Sequence, residues 1–183
     1  MKSVLITACG PTLEPELVEQ VKGTLPLIAV SDTIRLFPWA DEMLAIDRGW
    51  WERRSANANV EASSARRWAG VKACQYYGDR FRLNRFVKSP MPTSGHGALM
   101  LAYSLGYRRM LLAGFTMGGN NGSDHFFKDT KFGNSFPHWV KRMRLLHEVY
   151  TRKGVEIVNC TPYSALDFIP FVPIKEAVSG YRT

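Results

Sequence analysis

The sequence lacks the features that mark membrane-spanning and disulfide-stabilised proteins. No stretch approaches the roughly 18 consecutive apolar residues of a membrane-spanning helix. The apolar part of the N-terminus is too short for a signal peptide and runs straight into a turn at Gly10-Pro11. The three cysteines are odd in number and widely spaced, so they predict neither a disulfide framework nor a CxxC metal site. We therefore expect a cytoplasmic protein without a membrane span.

The motifs of the best-known nucleotide-binding and metal-binding proteins are missing as well. The first Gly-Pro turn matches neither GxGxxG nor the Walker loop. No two of the four histidines have the HxxxH or HxH spacing of a zinc site. There is also no helix-turn-helix, zinc-finger or RNP motif. These absences predict no bound metal and give no support to a dedicated nucleic-acid-binding domain.

Acidic residues are scarce relative to basic ones. Asp and Glu number 16 against 24 Lys and Arg, which gives a formal net charge of +8. An excess of positive charge indicates an anionic partner: a nucleotide, a nucleic acid or an acidic glycan. The basic residues are scattered over predicted helices and the central segment, so the charge does not by itself define a site.

Predicted strands and helices alternate along the whole chain. The 183 residues, 45% of them apolar, suit one packed domain. Short apolar runs predict strands, and these are SVLITA, LIAV, EMLAI, RRMLLA and VEIVNC, with a weaker strand at residues 71–76. The alternation predicts an α/β fold with a Rossmann-like, doubly wound, mostly parallel sheet and helices on both faces. We expect a single domain over residues 1–183, with 48–90 as a candidate irregular insertion or lid.

Small polar and acidic residues follow the predicted strands or begin a predicted helix, at the edge of the sheet where ligands bind in this architecture. The candidate nucleotide-binding residues are Cys9, Gly10, Pro11, Thr12, Asp32, Asp47, Thr93, Ser94 and Gly95. The free N–H groups and the dipole of a helix that begins at Ser94 favour an anion. Each motif taken alone also suits a turn or a helix cap, and Asp32 and Asp47 also suit metal ligation.

Two of the four histidines are candidates for a general base. His125 lies in a loop rich in Gly and Asn, and His138 stands near the start of a predicted amphipathic helix. His147 lies nine residues further along the same helix and faces away from His138, so we interpret it as structural. Because a lone histidine is often a structural residue, the sequence leaves open which of the two candidates carries chemistry.

Three motifs occur in order along the chain: ITACGPTLEPELV, PTSGHGALMLAYSLGYRRMLLAGFTM and NCTPYSAL. They resemble the GxGPSL turn, the TSGxxxLxxAxxLGYKxIxLxGxDF segment and the CxxCPNSxL strand end of bacterial sialyltransferases with a Rossmann-like fold. The same order occurs in the group that includes archaeal-type 6-hydroxymethylpterin diphosphokinases. It also occurs in uncharacterised phage and prophage proteins, which the chain resembles most. A phage origin would make the compartment the host cytoplasm.

The resemblance implies a metal-independent, inverting transfer from a cytidine-monophosphate sugar, with a histidine that deprotonates the acceptor hydroxyl. The candidate nucleotide-binding residues fall at the family's nucleotide-binding positions, with Cys9, Asp32 and Asp47 where the family has asparagines. His138 falls near the family's base. The family's phosphate-binding tyrosines have no match here, so the resemblance implies a nucleotide-type ligand more than a sialic-acid donor.

The working hypothesis from the sequence is a glycosyltransferase that uses a nucleotide-sugar donor and no cofactor, with a glycan or a modified nucleic acid as acceptor. Two alternatives stay open. One is a pyrophosphoryl or nucleotidyl transferase in which Asp32 and Asp47 hold Mg²⁺. The other is a phage-type accessory protein that binds nucleotide or nucleic acid without catalysis.

Overall fold

One parallel sheet organises the molecule. The computed structural model describes residues 1–54, 58–86, 93–118, 126–127 and 135–180. Within these residues the strands are β1 (Ser3–Thr7), β2 (Leu27–Val30), β3 (Glu42–Ala45), β4 (Arg66–Ala69), β5 (Asn84–Arg85), β6 (Arg109–Ala113) and β7 (Glu156–Asn159). They lie in the order β5-β4-β3-β2-β1-β6-β7, and every neighbouring pair is parallel. The predicted α/β fold with a Rossmann-like parallel sheet is confirmed.

Helices cover both faces of the sheet. They are α1 (Pro15–Glu19), α2 (Arg48–Arg54), α3 (Ala58–Ala62), α4 (Val71–Phe81), α5 (Ser94–Ser104), α6 (Phe136–Arg152) and α7 (Ile174–Ser179), with a 3-10 helix at Ser31–Arg35. Because side chains alternate along a strand, β1 sends Leu5 to one core and Val4 and Ile6 to the other. The Leu5 core contains side chains of α1, α2, α4 and α7, and the other core contains those of α5 and α6.

The strand predicted at residues 71–76 is wrong. These residues begin α4, and the strand lies just before them, at β4. β4 was not predicted from the apolar pattern because it begins with Arg66 and Arg67. The fold supplies partners for both guanidinium groups, a carboxylate for Arg66 and main-chain carbonyl oxygens for Arg67. Arg66 forms an ion pair with the buried carboxylate of Glu42 on β3, and the Trp68 indole N–H donates to the same carboxylate at 2.6 Å. A polar strand is stable here because its neighbour supplies the partners.

The described part of segment 48–90 contributes regular structure. It contains α2, α3, β4, α4 and β5, and the two strands continue the sheet beyond β3. The Trp51 side chain is fully buried, and its indole N–H donates to the carbonyl oxygen of Ala45 at 2.9 Å. This bond fixes α2 against the end of β3.

The strand order reverses direction at β1. From β1 the chain adds strands on one side as far as β5, and α5 then leads to β6 on the other side of β1. The loops after β1 and β6 therefore leave neighbouring strands toward opposite sides of the sheet. In open parallel sheets such a switch point leaves a crevice outside the carboxyl ends of the strands, where ligands bind.

Candidate functional site

The loops after β1 and β6 cross in close contact at the switch point. The N–H of Gly10 donates to the carbonyl oxygen of Gly114 at 2.8 Å. A Cβ atom on Gly10 would lie 2.3 Å from that oxygen and 2.4 Å from Oγ1 of Thr116. Gly114 adopts a positive φ of 74°, and a Cβ there would lie 2.0 Å from the carbonyl oxygen of Ala8. The backbone that approaches Gly10 in the structure is therefore the chain's own, and the role of Gly10 in binding nucleotide stays a prediction.

Threonine hydroxyls join the loops after β1, β6 and β7. Oγ1 of Thr12 lies 2.7 Å from Oγ1 of Thr116 and donates to the carbonyl oxygen of Pro162 at 3.1 Å. Oγ1 of Thr161 accepts the N–H of Phe115 at 2.9 Å and donates to the carbonyl oxygen of Leu112 at 3.1 Å. These bonds hold the three loops as one rigid rim beside the switch point.

The candidates after β2 and β3 differ in their exposure. Asp32 lies in the 3-10 helix after β2 and is only 5% exposed, whereas Asp47 after β3 is exposed. The Cys9 thiol lies 3.6 Å from the carbonyl oxygen of Val30 and so links the end of β1 to the end of β2. A buried and an exposed carboxylate therefore lie at the ends of two neighbouring strands.

The N-terminus of α5 reaches the same edge of the sheet. Oγ of Ser94 accepts the N–H of Ile46, just after β3, at 3.2 Å. Gly95 packs against Phe115, since a Cβ there would lie 3.1 Å from the ring. Thr93 caps the helix by accepting the N–H of His96 at 3.2 Å. The first N–H groups of α5 therefore lie between the end of β3 and the loop after β6, where they can bind an anion.

The structure thus places the nine candidate nucleotide-binding residues at one edge of the sheet. Cys9 to Thr12 follow β1, Asp32 and Asp47 follow β2 and β3, and Thr93 to Gly95 begin α5. The contacts of Cys9 with Val30 and of Ser94 with Ile46 connect these groups. Their role in binding nucleotide stays a prediction.

His96 is a buried histidine that we did not select from the sequence. It is 4% exposed, and burial lowers its pKa from the usual 6.5 to about 4. The main chain at Arg142 opposes this pKa shift, whereas the positive charges of Arg142 and His138 add to it. Its Nδ1 atom lies 3.1 Å from Oγ1 of Thr93, and its Nε2 atom is buried without a hydrogen-bond partner in the described part of the chain. The sequence offered one signal for His96, its position directly after Ser94-Gly95. Its burial could not be predicted from the sequence, because burial depends on contacts with distant parts of the chain.

Of the two histidines selected from the sequence, the structure describes only His138. His125 lies outside the described residues. His138 is exposed in the first turn of α6. Its role as a base stays a prediction.

Several residues near this edge of the sheet have a strained, left-handed backbone. Four non-glycine residues of the described chain have a positive φ: Ser31 at 53°, Arg82 at 51°, Met117 at 53° and Tyr163 at 55°. Arg82 is the C-cap of α4, an ordinary place for a left-handed residue. The other three follow β2, β6 and β7, and no sequence signal pointed to them.

The described residues contain neither a ready metal site nor a membrane-spanning helix. No cluster of three or more His, Cys, Asp or Glu side chains is arranged to hold a metal ion in these residues. None of the described helices combines the length and apolar character that crossing a membrane requires.

No protein-family model and no curated protein matches the chain. Among solved structures, the sialyltransferase CST-II in complex with a trisaccharide acceptor and CMP aligns with a TM-score of 0.64 and 15% identity, over 94% of this chain and 86% of that chain. CstII from Campylobacter jejuni in complex with cytidine-5'-monophosphate gives a TM-score of 0.63 and 16% identity, over 95% and 86% of the two chains. Thiamine pyrophosphokinase from Bacillus subtilis, with a TM-score of 0.47 and 17% identity over 88% and 61%, is too distant to carry an argument.

These alignments establish the fold of the chain. It is the fold of the CstII sialyltransferases, so the resemblance inferred from the three sequence motifs is confirmed at the level of structure. The link to phage proteins stays a prediction.

Proposed function

We propose that the protein is a glycosyltransferase that takes its glycosyl group from a nucleotide-sugar donor. The observation that carries the proposal is the convergence of three groups at the switch point: the turn at Gly10 to Thr12, the acidic strand ends, and the N-terminus of α5. The similarity in fold to CST-II, whose structure holds CMP and a trisaccharide acceptor, supports the same ligand class.

In this proposal the donor phosphate binds at the N-terminus of α5. The N–H groups of Ser94 and Gly95 have no partner within the helix, and the helix dipole places positive potential there. These groups stabilise the negative charge that develops on the departing nucleotide. Asp32 or Asp47 accepts hydrogen bonds from the ribose hydroxyls, as acidic strand-end residues do in related architectures.

The histidine candidates supply the general base. The oxygen of an acceptor hydroxyl attacks the anomeric carbon, the bond from that carbon to the phosphate oxygen breaks, and the hydroxyl proton passes to a ring nitrogen of the histidine. His138 is the described candidate, since it is exposed near the start of α6, where an acceptor can reach it. His125 is the second candidate. A well-placed base contributes about 10²–10⁴-fold to the rate.

Thermal shift with a panel of nucleotides and nucleotide sugars, with and without Mg²⁺, tests this proposal. We expect at least one nucleotide sugar to raise the melting temperature without Mg²⁺, because binding to the folded state stabilises it. A panel without any effect would contradict the proposal. Stabilisation that requires Mg²⁺ would favour the pyrophosphoryl transferase, and DNA binding that weakens steeply with salt would favour the accessory protein.

The same panel tests the base. With the donor it identifies, His138→Asn should lower turnover by about 10²–10⁴-fold while leaving the thermal shift intact. His147→Asn, on the same helix, is the matched control and should turn over normally. Normal turnover by the His138 variant would exclude this residue and leave His125 as the base.

A further inference from the structure

Tyr163 is unusual in both its exposure and its backbone. Its side chain is 89% exposed, compared with 59% for Tyr76 and 53% for Phe171. Its φ of 55° lies in the left-handed region, which is disfavoured for a residue with a bulky side chain and is tolerated by glycine and asparagine. An exposed aromatic ring at a strained position needs an explanation other than packing.

The residues on both sides of Tyr163 are fixed to the rim of the crevice. The carbonyl oxygen of Pro162 accepts the hydroxyl of Thr12 at 3.1 Å. Oγ of Ser164 donates to the carbonyl oxygen of Phe115 at 2.6 Å. These two hydrogen bonds hold Tyr163 in its strained conformation. They also place it at the edge where the loops after β1, β6 and β7 meet. Strain maintained in this way is characteristic of functional sites.

The strand order indicates which part of a ligand would lie near Tyr163. In the proposed function, the nucleotide lies over the ends of β1, β2 and β3 and its phosphate lies at the N-terminus of α5. Tyr163 follows β7, two strands beyond β1 on the opposite side, which is ~10 Å at the usual spacing of parallel strands. The group that extends past the phosphate in this direction is the glycosyl group.

We propose that Tyr163 is a binding residue for the glycosyl group of the donor, with its ring packed against the C–H face of the sugar. An aromatic ring suits this ligand because it offers apolar contact area and a polar hydroxyl at one end. The inference rests on the proposed function, since it needs a nucleotide sugar in the crevice.

Binding measurements on three variants test the role of Tyr163. The probes are the nucleotide sugar that shifts the wild-type protein most and the same nucleotide without its sugar, each titrated by calorimetry. Tyr163→Asn removes the ring and suits the left-handed backbone, whereas Tyr163→Phe keeps the ring. Arg82→Asn is the matched control, because it relieves the same strain at the end of α4, away from the crevice.

We expect Tyr163→Asn to bind the nucleotide sugar about 3–10-fold more weakly, the range of a lost aromatic contact, and to bind the bare nucleotide as the wild type does. Tyr163→Phe should keep most of the affinity. Asparagine tolerates the left-handed conformation better than tyrosine or arginine does, so both asparagine variants should be more stable. For a chain of this size we expect their melting temperatures to rise by about 2–4 °C. This rise also shows that the Tyr163 variant is folded.

Other outcomes overturn the inference in distinct ways. Unchanged affinity of Tyr163→Asn for the nucleotide sugar excludes the contact while leaving the proposed function intact. Equal weakening for both probes places the ring against the nucleotide instead of the sugar. The same loss in Arg82→Asn makes the effect a global one. If neither probe binds the wild type, the proposed function fails, and the role of Tyr163 fails with it.

Discussion

At the scale of single residues, His96 makes the stability of the fold depend on pH. Its pKa is about 4 in the folded protein and about 6.5 when exposed, so the unfolded chain binds the extra proton between these values. Stability from the neutral imidazole is therefore complete above about pH 6.5 and is lost as the pH falls toward 4. The charges of Arg142 and His138 lower the pKa of His96 further, so neither favours its protonation.

We predict that the free energy of unfolding of the wild type falls by about 3 kcal/mol more between pH 7 and 4 than that of His96→Asn. Asparagine keeps a polar atom near Thr93 but does not titrate. Urea denaturation at a series of pH values measures the difference. Parallel curves for the two proteins would show that His96 does not titrate with a lowered pKa. The pKa of half-buried His147 is also lowered by burial, so His147→Asn shows how much of the slope is due to that residue.

At the scale of elements, the loops after β1 and β6 pack closely against each other where they cross. Gly10→Ala should destabilise the protein by about 1–3 kcal/mol, because its Cβ would meet Gly114 and Thr116 and overpack the crossing. Gly78→Ala is the matched control. Gly78 lies inside α4 with nothing within 4 Å of its Cβ position, so alanine there should stabilise by about 0.5–1 kcal/mol. Chemical denaturation checks both, and a neutral Gly10 variant would contradict the close crossing.

The strands that could be predicted from sequence are those whose residues face the core on both sides. β1 and β2 are buried along their whole length and read as continuous apolar runs. β4 could not be predicted in this way, because Arg66 and Arg67 are stable in a strand only through partners on other elements. Of the apolar residues at 71–76 that suggested a strand, Ala73 is buried within α4, whereas Val71 and Tyr76 are exposed on it.

The features of the candidate site are likewise of two kinds, local ones that the sequence predicts and long-range ones that it does not. Turns and caps such as Gly10-Pro11 and Thr93 are local, so short sequence patterns identify them. The burial of His96 and the left-handed backbone of Tyr163 arise from contacts with residues far away in sequence. These features could be found only once the loops had been placed together.

At the scale of the whole molecule, the net charge and the fold favour the same kind of ligand. The net charge of +8 raises the local concentration of anions and helps to steer them to the protein. The switch point then offers one place where a small anion meets helix N–H groups and polar strand ends. We therefore propose that a nucleotide sugar binds at this edge of the sheet.

Amide chemical-shift mapping of the isotope-labelled protein, titrated with the nucleotide sugar that the thermal panel identifies, tests this claim most directly. We predict that the largest shifts occur at Gly10, Thr12, Ser94 and Gly95, at the carboxyl edge of the sheet. Gly106 and Gly154, which precede β6 and β7 at the opposite edge, should shift little. Shifts centred on the opposite edge, or spread evenly over the basic surface, would show that the nucleotide sugar binds elsewhere.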